Sequence, residues 1–329
     1  NQLQTVPKEL FFLPLKQLNL RSNNLMALPS EVGCAASLVE LVLSENQLSA
    51  LPSGMQELEQ LEVLDLAKNQ LTGELPWTAT QWRGRKLKRL DVSQNRLTSL
   101  PESLHACEQL RELLAAKNQL RTLDFCDHSS LVSLDLSGNQ LSSLILGSLP
   151  CLDSLNLSNN SLDHLELGAV PQLTVLMAES NKLKTFPEGI LRAAGLSTLD
   201  LSNNDLTHVP PELGLARHLT RVALLGNPLR TLRPELLRGS AEALKKFLLT
   251  RLEPDLSPAS GSASSPFLVE LRAAQGTGQL SLAERQLTAL PPLPRILKLL
   301  DVSSNHLTSE ALTSSLREVE LLQCLRAKK

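Results

Sequence analysis

Tyrosine is absent from this 329-residue sequence, and aromatic residues of all kinds make up only 2% of it. Aromatic side chains normally supply much of the buried area of an irregular globular core. A core with so few of them must be built from leucine, which packs well in similar layers stacked on one another. The scarcity of aromatic residues therefore predicts a repetitive architecture.

An excess of one charge, clustered cysteines and long apolar runs are also missing. The formal net charge is −2, which gives no electrostatic reason to expect a nucleic acid partner. The five cysteines lie far apart without a CxxC pair, so we expect reduced thiols rather than a disulfide cap or a zinc site. No run of about 20 apolar residues occurs, so no membrane span is predicted. The chain opens at Asn1 without methionine, which leaves the presence of a signal peptide open.

Motifs of catalysis are missing as well. The sequence contains no phosphate-binding loop, no HExxH, no GxSxG and no cluster with metal-ligand spacing. Cys126, Asp127 and His128 are consecutive and include nucleophile and base types, but neighbours in a chain seldom converge on one reacting atom. We therefore predict a protein that is not an enzyme and that binds no cofactor and no metal.

One spacing of leucine and asparagine dominates what remains. From Leu131 to Leu144 the sequence is LVSLDLSGNQLSSL, with leucine at positions one, four, six and eleven of the repeat and asparagine at position nine. Asn1 to Leu3 match only the end of the pattern, so we expect a truncated first repeat and a chain that is a fragment. Ten full repeats follow without a gap, in steps of 21 to 26 residues, and they begin at Leu15, Leu38, Leu61, Leu87, Leu110, Leu131, Leu152, Leu173, Leu196 and Leu219.

This spacing predicts the local structure of each repeat. Positions four and six are two residues apart, the period of a strand, so their side chains point one way while positions three, five and seven point the other. Similar strands side by side form a parallel sheet, and its apolar side is buried only if the rest of each repeat returns behind it. The amide at position nine has a donor and an acceptor for free backbone groups where the chain leaves the strand. The sequence therefore predicts a coil stabilised by an asparagine ladder.

The motif LxxLxLxxNxL, in steps of 21 to 26 residues, resembles the leucine-rich repeat family. The resemblance implies an α/β repeat solenoid, a horseshoe with a concave parallel sheet and a convex side of irregular, 3-10 and short helical segments. Several 23-residue repeats carry an apolar residue before proline, as in Leu28-Pro29 and Phe186-Pro187, which resembles the intracellular, Ras-suppressor-like subgroup. Repeats from Leu110, Leu131 and Leu152 are shorter and lack the proline, so we expect a different local curvature there.

Three segments are predicted. Residues 1–252 form the array and its C-terminal cap, a helix with Ser240 as its N-cap, Leu244, Phe247, Leu248 and Leu252 on one face, and Lys245 and Lys246 on the other. Residues 253–276, rich in serine and proline, are expected to be a flexible linker. Residues 277–329 are expected to hold two further repeats and a C-terminal helix, an incomplete second array, with Leu312, Leu316, Val319 and Leu322 on a helical stripe.

The concave side, formed by positions three and five, is the first candidate for partner binding. It presents an acidic stripe interrupted by apolar anchors and one arginine, namely Glu40, Asp65, Asp91, Glu112 and Asp135, then Val42, Val63, Leu114 and Met177, and Arg89. Alternatively, the aspartates only keep this surface hydrated. The insertion before Leu87 is the second candidate, because it holds Trp77 and Trp82 followed by basic residues; alternatively, the two indoles simply fill the longer loop.

These observations favour a non-catalytic scaffold or adaptor that binds proteins through the concave face in intracellular signalling. The resemblance to the Ras-suppressor-like subgroup implies a cytoplasmic or nuclear protein, with small GTPases or kinase and phosphatase complexes as partners, and we expect a monomer. One alternative is the ligand-binding ectodomain of a secreted or membrane receptor, which glycosylation at Asn156 or Asn159 would support. Another is the recognition part of a larger enzyme.

Overall fold

The computed structural model describes residues 1–75, 77, 85–123, 127–252, 279–282, 299–303, 305 and 324–326. The chain divides into two compact units, Asn1–Glu253 and Pro254–Lys329. The described strands of the first unit are, in chain order, β1 Gln17–Asn19, β2 Glu40–Val42, β3 Val63–Asp65, β4 Thr72–Gly73, β5 Arg89–Asp91, β6 Arg96–Leu97, β7 Glu112–Leu114, β8 Ser133–Asp135, β9 Ser143–Ser148, β10 Ser154–Asn156, β11 His164–Ala169, β12 Val175–Met177, β13 Thr198–Asp200 and β14 Arg221–Ala223.

Ten of these strands form one parallel sheet in the order β1-β2-β3-β5-β7-β8-β10-β12-β13-β14. Each spans positions three to five of one repeat, and the register pairs equal positions, as in Glu112↔Ser133 and Leu114↔Asp135. The central residue of each inner strand is a buried leucine, because position four points into the coil. The predicted solenoid with a concave parallel sheet is confirmed.

The asparagine ladder is confirmed as well. Asn139 Nδ2 donates to the carbonyl oxygens of Leu136, in its own coil (2.9 Å), and Ala115, in the preceding coil (3.0 Å). Its Oδ1 accepts from the backbone N–H of Leu120 at 3.0 Å. Asn139 therefore satisfies three backbone groups at a buried turn and joins two coils through two of them.

A left-handed turn precedes the ladder, and the sequence analysis did not predict it. The residue at position eight has a positive φ, between 52° and 76°, in all ten repeats. Glycine occupies this position only at Gly138 and Gly226, so eight repeats place a side-chain-bearing residue in a conformation that glycine adopts most easily. The turn directs the chain out of the sheet just before the asparagine.

Short 3-10 helices occur in several of the return segments on the convex side. Where an apolar residue precedes proline, the proline usually stands immediately before the helix, as Pro29, Pro52, Pro101 and Pro210 do. Its fixed φ and missing N–H suit that place. The 3-10 helices are Lys8–Phe12, Ser30–Cys34, Ser53–Glu57, Glu102–Ala106, Ile190–Arg192 and Pro211–Leu215.

Two of the short repeats differ, because β9 and β11 pair in parallel on the convex side. The sequence analysis expected no convex strands. Glycine permits the close approach of the two strands, because a Cβ atom on Gly168 would lie 2.1 Å from the carbonyl oxygen of Gly147. In these short repeats fewer residues cross the convex side before the next strand. Extended backbone spans more distance per residue than a helical turn and is therefore favoured. The predicted change in curvature stays a prediction.

The C-terminal end of the first unit carries two helices, α1 Pro234–Arg238 and α2 Ala241–Thr250. Ser240 caps α2 by accepting a hydrogen bond from Ala243 N, and Leu244 and Leu248 are buried. Lys245, predicted on the helix face opposite the leucines, also contacts the last coil. Its ammonium donates to the carbonyl oxygens of Ala216 (3.3 Å) and Leu219 (2.9 Å), so this lysine binds the last coil.

The second unit contains β15 Gln279–Ser281, β16 Leu299–Asp301 and β17 Cys324–Arg326, which pair in parallel in that order. Asn305 Nδ2 donates to Leu282 O (2.8 Å) and Val302 O (2.9 Å), the same ladder as in the first unit. The predicted C-terminal helix is wrong at residues 324–326, which form a strand. The stripe residues Leu312, Leu316, Val319 and Leu322 and the linker 253–276 lie outside the described residues.

Candidate functional site

The concave face of the first unit gathers most of the predicted partner contacts into two rows. Position three contributes one row and position five the other, and neighbours within a row are about 4.8 Å apart. The members predicted from the sequence are Glu40, Val63, Arg89 and Glu112 in the first row and Val42, Asp65, Asp91, Leu114, Asp135 and Met177 in the second. Arg89 is exposed and the others are half-buried.

The tryptophan insertion does not provide the expected aromatic surface at Trp77. This side chain is only 3% exposed and packs within the leucine core. Its carbonyl oxygen accepts a hydrogen bond from Ser103 Oγ at 3.1 Å. The hypothesis that Trp77 docks a partner is therefore wrong. A large apolar ring is stabilised more by burial in the leucine core than by exposure to solvent. Trp82 lies outside the described residues.

The aspartates at position five accept backbone hydrogen bonds near the turn, a role that the sequence did not predict. Oδ1 of Asp65 accepts from the backbone N–H of Ala67 (3.0 Å), and Oδ1 of Asp91 accepts from that of Ser93 (2.9 Å). Asp135 makes the same contact with Ser137 (2.9 Å), and the neutral amide of Asn156 makes it with Ser158 (3.1 Å). Where position five carries an acceptor, it binds the backbone N–H two residues later, and a neutral amide serves as well as a carboxylate, so this contact does not require a charge.

Other members of the acidic stripe are paired within the face. Glu40 accepts a hydrogen bond from Gln17 Nε2 at 2.9 Å, and Glu112 forms an ion pair with Arg89 at 3.0 Å. Asp65, Asp91 and Asp135 remain, and of these Asp65 and Asp91 lie side by side in register on β3 and β5. The unpaired acidic groups of the stripe are therefore its three aspartates.

Beside this pair lies a cavity of about 400 Å³ at the carboxyl ends of the first five strands of the sheet. Small residues from position seven line it, together with the aspartates of position five and charged residues of position eight. Glu45 is held there by Arg21 (2.8 Å) and Lys68 (3.0 Å). Hydrogen bonds from Arg21, then from Ser22 and Lys68, lower the pKa of Glu45 to about 2. The cavity could not be predicted from the repeat pattern, because the pattern does not reveal the left-handed turn that carries position eight.

His128, from the consecutive cysteine, aspartate and histidine, is buried on the convex side. Its Nε2 lies 3.0 Å from the carbonyl oxygen of Cys107, and its Nδ1 accepts from the backbone N–H of Ser130 at 3.4 Å. These contacts assign the proton to Nε2 and commit both ring nitrogens to the backbone. Burial lowers the pKa of His128. Cys126 lies outside the described residues.

Family models described as leucine rich repeat match residues 14–71, and then 86–107, 130–152 and 195–215. These matches fall on the coils described above. The chain is a leucine-rich repeat protein. Within the described ranges, no helix has the length and apolar character required to cross a membrane.

Solved structures share this leucine-rich repeat fold. A leucine-rich repeat protein of Leptospira interrogans aligns with 98% of this chain and 76% of its own, at 24% identity and a TM-score of 0.52. YopM from Yersinia enterocolitica aligns with 93% of this chain at 27% identity and a TM-score of 0.55, and the plant peptide hormone receptor RGFR1, in complex with RGF2, aligns with 98% at 22% and 0.57. This chain spans 55% and 52% of those two proteins.

Proposed function

We propose that this leucine-rich repeat protein is a non-catalytic scaffold that binds other proteins through its concave face. The observation that carries the proposal is the composition of the two concave rows. Half-buried apolar side chains such as Val63 and Leu114 alternate with charged ones on a preformed surface. Protein interfaces combine apolar anchors and polar surroundings in this way, and a rigid sheet lowers the entropic cost of binding.

An intracellular role is the form of this proposal that we favour. The apolar-proline pairs resemble the Ras-suppressor-like subgroup, and residues 199–252 resemble leucine-rich repeat-containing protein forty. Among the described residues, Cys34 and Cys151 are free thiols, which suits a reducing compartment. Small GTPases or kinase and phosphatase complexes are then the partners suggested by analogy, bound by a cytoplasmic or nuclear monomer.

A receptor ectodomain is the second candidate, and one structural feature favours it. The sequence LTGEL resembles plant-type extracellular repeats, and within it Thr72 pairs with Arg96 and Gly73 with Leu97 in a second small sheet. RGFR1, which shares the fold, is a plant peptide hormone receptor in complex with RGF2. Glycans on Asn156 or Asn159 after secretion would favour this candidate over the intracellular one.

The concave proposal is tested by retention of partners from a cell extract. The double variant V63K/L114K places two charges on the concave face, and I145K places one on the convex side, where Ile145 is 55% exposed. We expect partners retained by wild type to be lost from V63K/L114K and kept by I145K. Loss of the same partners from I145K alone would place the binding surface elsewhere.

A further inference from the structure

Several coils of the first unit bury an apolar side chain three positions before the first leucine of the next repeat. Leu58, Leu149 and Val170 occupy this position and are at most 3% exposed. His128 occupies the same position before Leu131 and is 5% exposed. Because equal positions of neighbouring coils stack on one another, a titratable ring lies in a column of apolar side chains on the convex side.

The ring of His128 takes part in the turn that leads to the next strand. Its Nε2 donates to the carbonyl oxygen of Cys107 in the preceding coil (3.0 Å), and its Nδ1 accepts from the backbone N–H of Ser130 (3.4 Å). In the following coil the backbone closes this turn, because Leu152 N donates to Leu149 O at 3.2 Å. The turn at His128 therefore depends on a side chain whose hydrogen-bonding capacity changes with pH.

Further hydrogen bonds attach residues 127–130 to the coils on both sides. The backbone N–H of His128 donates to Ser148 O (3.1 Å), and Asp127 Oδ1 accepts from Ser148 N (2.5 Å), both toward the following coil. The hydroxyl of Ser130 donates to the carbonyl oxygen of Glu108 in the preceding coil. These contacts hold the segment in place while the imidazole ring is neutral.

Few titratable groups surround the ring within the part of the chain that the structure describes. His105 and Glu108 of the preceding coil and Asp127 of the same segment share its cavity of about 370 Å³, and the following coil contributes the uncharged Ser148. Burial is the main cause that lowers the pKa of His128; the bond to the Cys107 carbonyl opposes it, and the charge of His105 adds to the lowering. The closed segment therefore favours the neutral ring.

We propose that His128 is a pH-sensitive switch whose protonation releases residues 127–130 from the neighbouring coils, while the rest of the array stays folded. An imidazolium carries a hydrogen on Nδ1, so it can no longer accept from the N–H of Ser130. A positive charge is also costly among apolar side chains, and the ring reaches water only if the segment opens. The proton comes from solvent. This proposal concerns the convex side and does not depend on concave binding.

Amide hydrogen exchange of the full chain measures the opening directly, after correction for the intrinsic effect of pH on exchange. We expect the protection of the His128 amide to fall at least about fivefold between about pH 7.5 and about pH 5. The Leu173 amide, which donates to Val170 O at 3.2 Å two coils further along, should change less than about twofold. An equal fall at both amides would mean global unfolding and would overturn a local switch.

Two variants identify the responsible group. His128→Leu places at this position the residue type that Leu149 provides in the next coil, so the amide at position 128 should keep the same protection at both pH values within about twofold. His105→Gln removes only the neighbouring charge, so most of the fall should remain because burial is the main cause. A fall that persists in His128→Leu, or that disappears in His105→Gln, would overturn the proposal.

Wild type alone provides a second test if His128→Leu does not fold. The ring of His128 is titrated by NMR through its ¹³Cε1 signal, and the protection of the Ser130 amide is measured in the same samples. We expect one common midpoint, below the ordinary pKa of 6.5. A ring that titrates without loss of protection, or a loss of protection with a different midpoint, would overturn the proposal.

Discussion

Single side chains join the coils of this leucine-rich repeat protein. Asn139 accepts one and donates two hydrogen bonds at a buried turn, and Asn160 does the same at a half-buried turn. Removing such an amide leaves backbone N–H and C=O groups without a hydrogen-bond partner at a turn that is shielded from water. The position of the ladder was predictable from the sequence, because asparagine recurs at the point where each strand must end.

Asn139→Ala is expected to lower the free energy of unfolding by about 1 to 3 kcal/mol, and Asn160→Ala by less within that range, because buried backbone groups lose their partners. Urea denaturation measures both values. Gln140→Ala, at an exposed neighbouring position, is the control and should change the value by less than about 0.5 kcal/mol. An unchanged midpoint for Asn139→Ala would contradict the ladder.

Asp91 distinguishes a turn acceptor from a charge. Asp91→Asn keeps Oδ1 for the N–H of Ser93, so its stability should stay within about 0.5 kcal/mol of wild type. Asp91→Ala removes the acceptor and should cost about 1 kcal/mol. Chemical denaturation of the two variants checks the difference. Equal loss in both would show that the charge itself stabilises the fold.

His128 predicts a pH dependence of stability. Burial lowers its pKa below the ordinary value of 6.5, so the folded state binds fewer protons than the unfolded state near that pH. Its stabilising contribution is therefore complete above about pH 6.5 and is lost as the pH falls through the lower folded pKa. His105, Glu108 and Asp127 line the same cavity, and the charge of His105 also lowers the pKa of His128.

The free energy of unfolding should fall between about pH 7 and about pH 5 more steeply in wild type than in His128→Gln. Exposed His208 gives the control, since His208→Gln should retain the wild-type slope. Denaturation at a series of pH values measures the slopes. Identical slopes for wild type and His128→Gln would show that another group is responsible.

At the scale of elements, the ten concave strands were predictable and the convex strands were not. Concave strands follow from a leucine pattern of period two, which is local information. Strands β9 and β11 require two segments of the chain to approach each other closely at Gly147 and Gly168. These residues are 21 positions apart, so no local sequence pattern reveals the contact. Trp77 was misjudged for the same reason, because its burial depends on the coils around it.

Gly168→Ala tests the convex contact. A Cβ at this position would overlap the carbonyl oxygen of Gly147, so the backbones must separate at a cost of about 1 to 3 kcal/mol. Gly195→Ala is the matched change, since the nearest atom to its Cβ would be 3.7 Å away and the effect should be small. A thermal melt compares the two. Equal melting temperatures would mean that the convex strands tolerate separation.

At the scale of the whole molecule, the repeat explains the architecture. The sequence alone predicts which residues face the concave side, but it does not predict the contacts among them. All ten concave-face residues proposed from the pattern lie in the two rows, because strand alternation determines which side they face. The ion pair of Arg89 with Glu112 joins two neighbouring coils and could not be derived from the spacing within one repeat. The structure therefore separates the paired glutamates of the acidic stripe from its three aspartates, which hold turns.

The dissociation constant of a captured partner is the most direct test of concave binding. Wild type, V63K/L114K and I145K are compared under one salt condition. If the apolar anchors are central contacts, V63K/L114K raises the dissociation constant by at least about 30-fold, the effect of losing a 2 kcal/mol hot spot, and I145K leaves it within about twofold. Unchanged affinity in V63K/L114K together with weakened affinity in I145K would show that the partner binds the convex side.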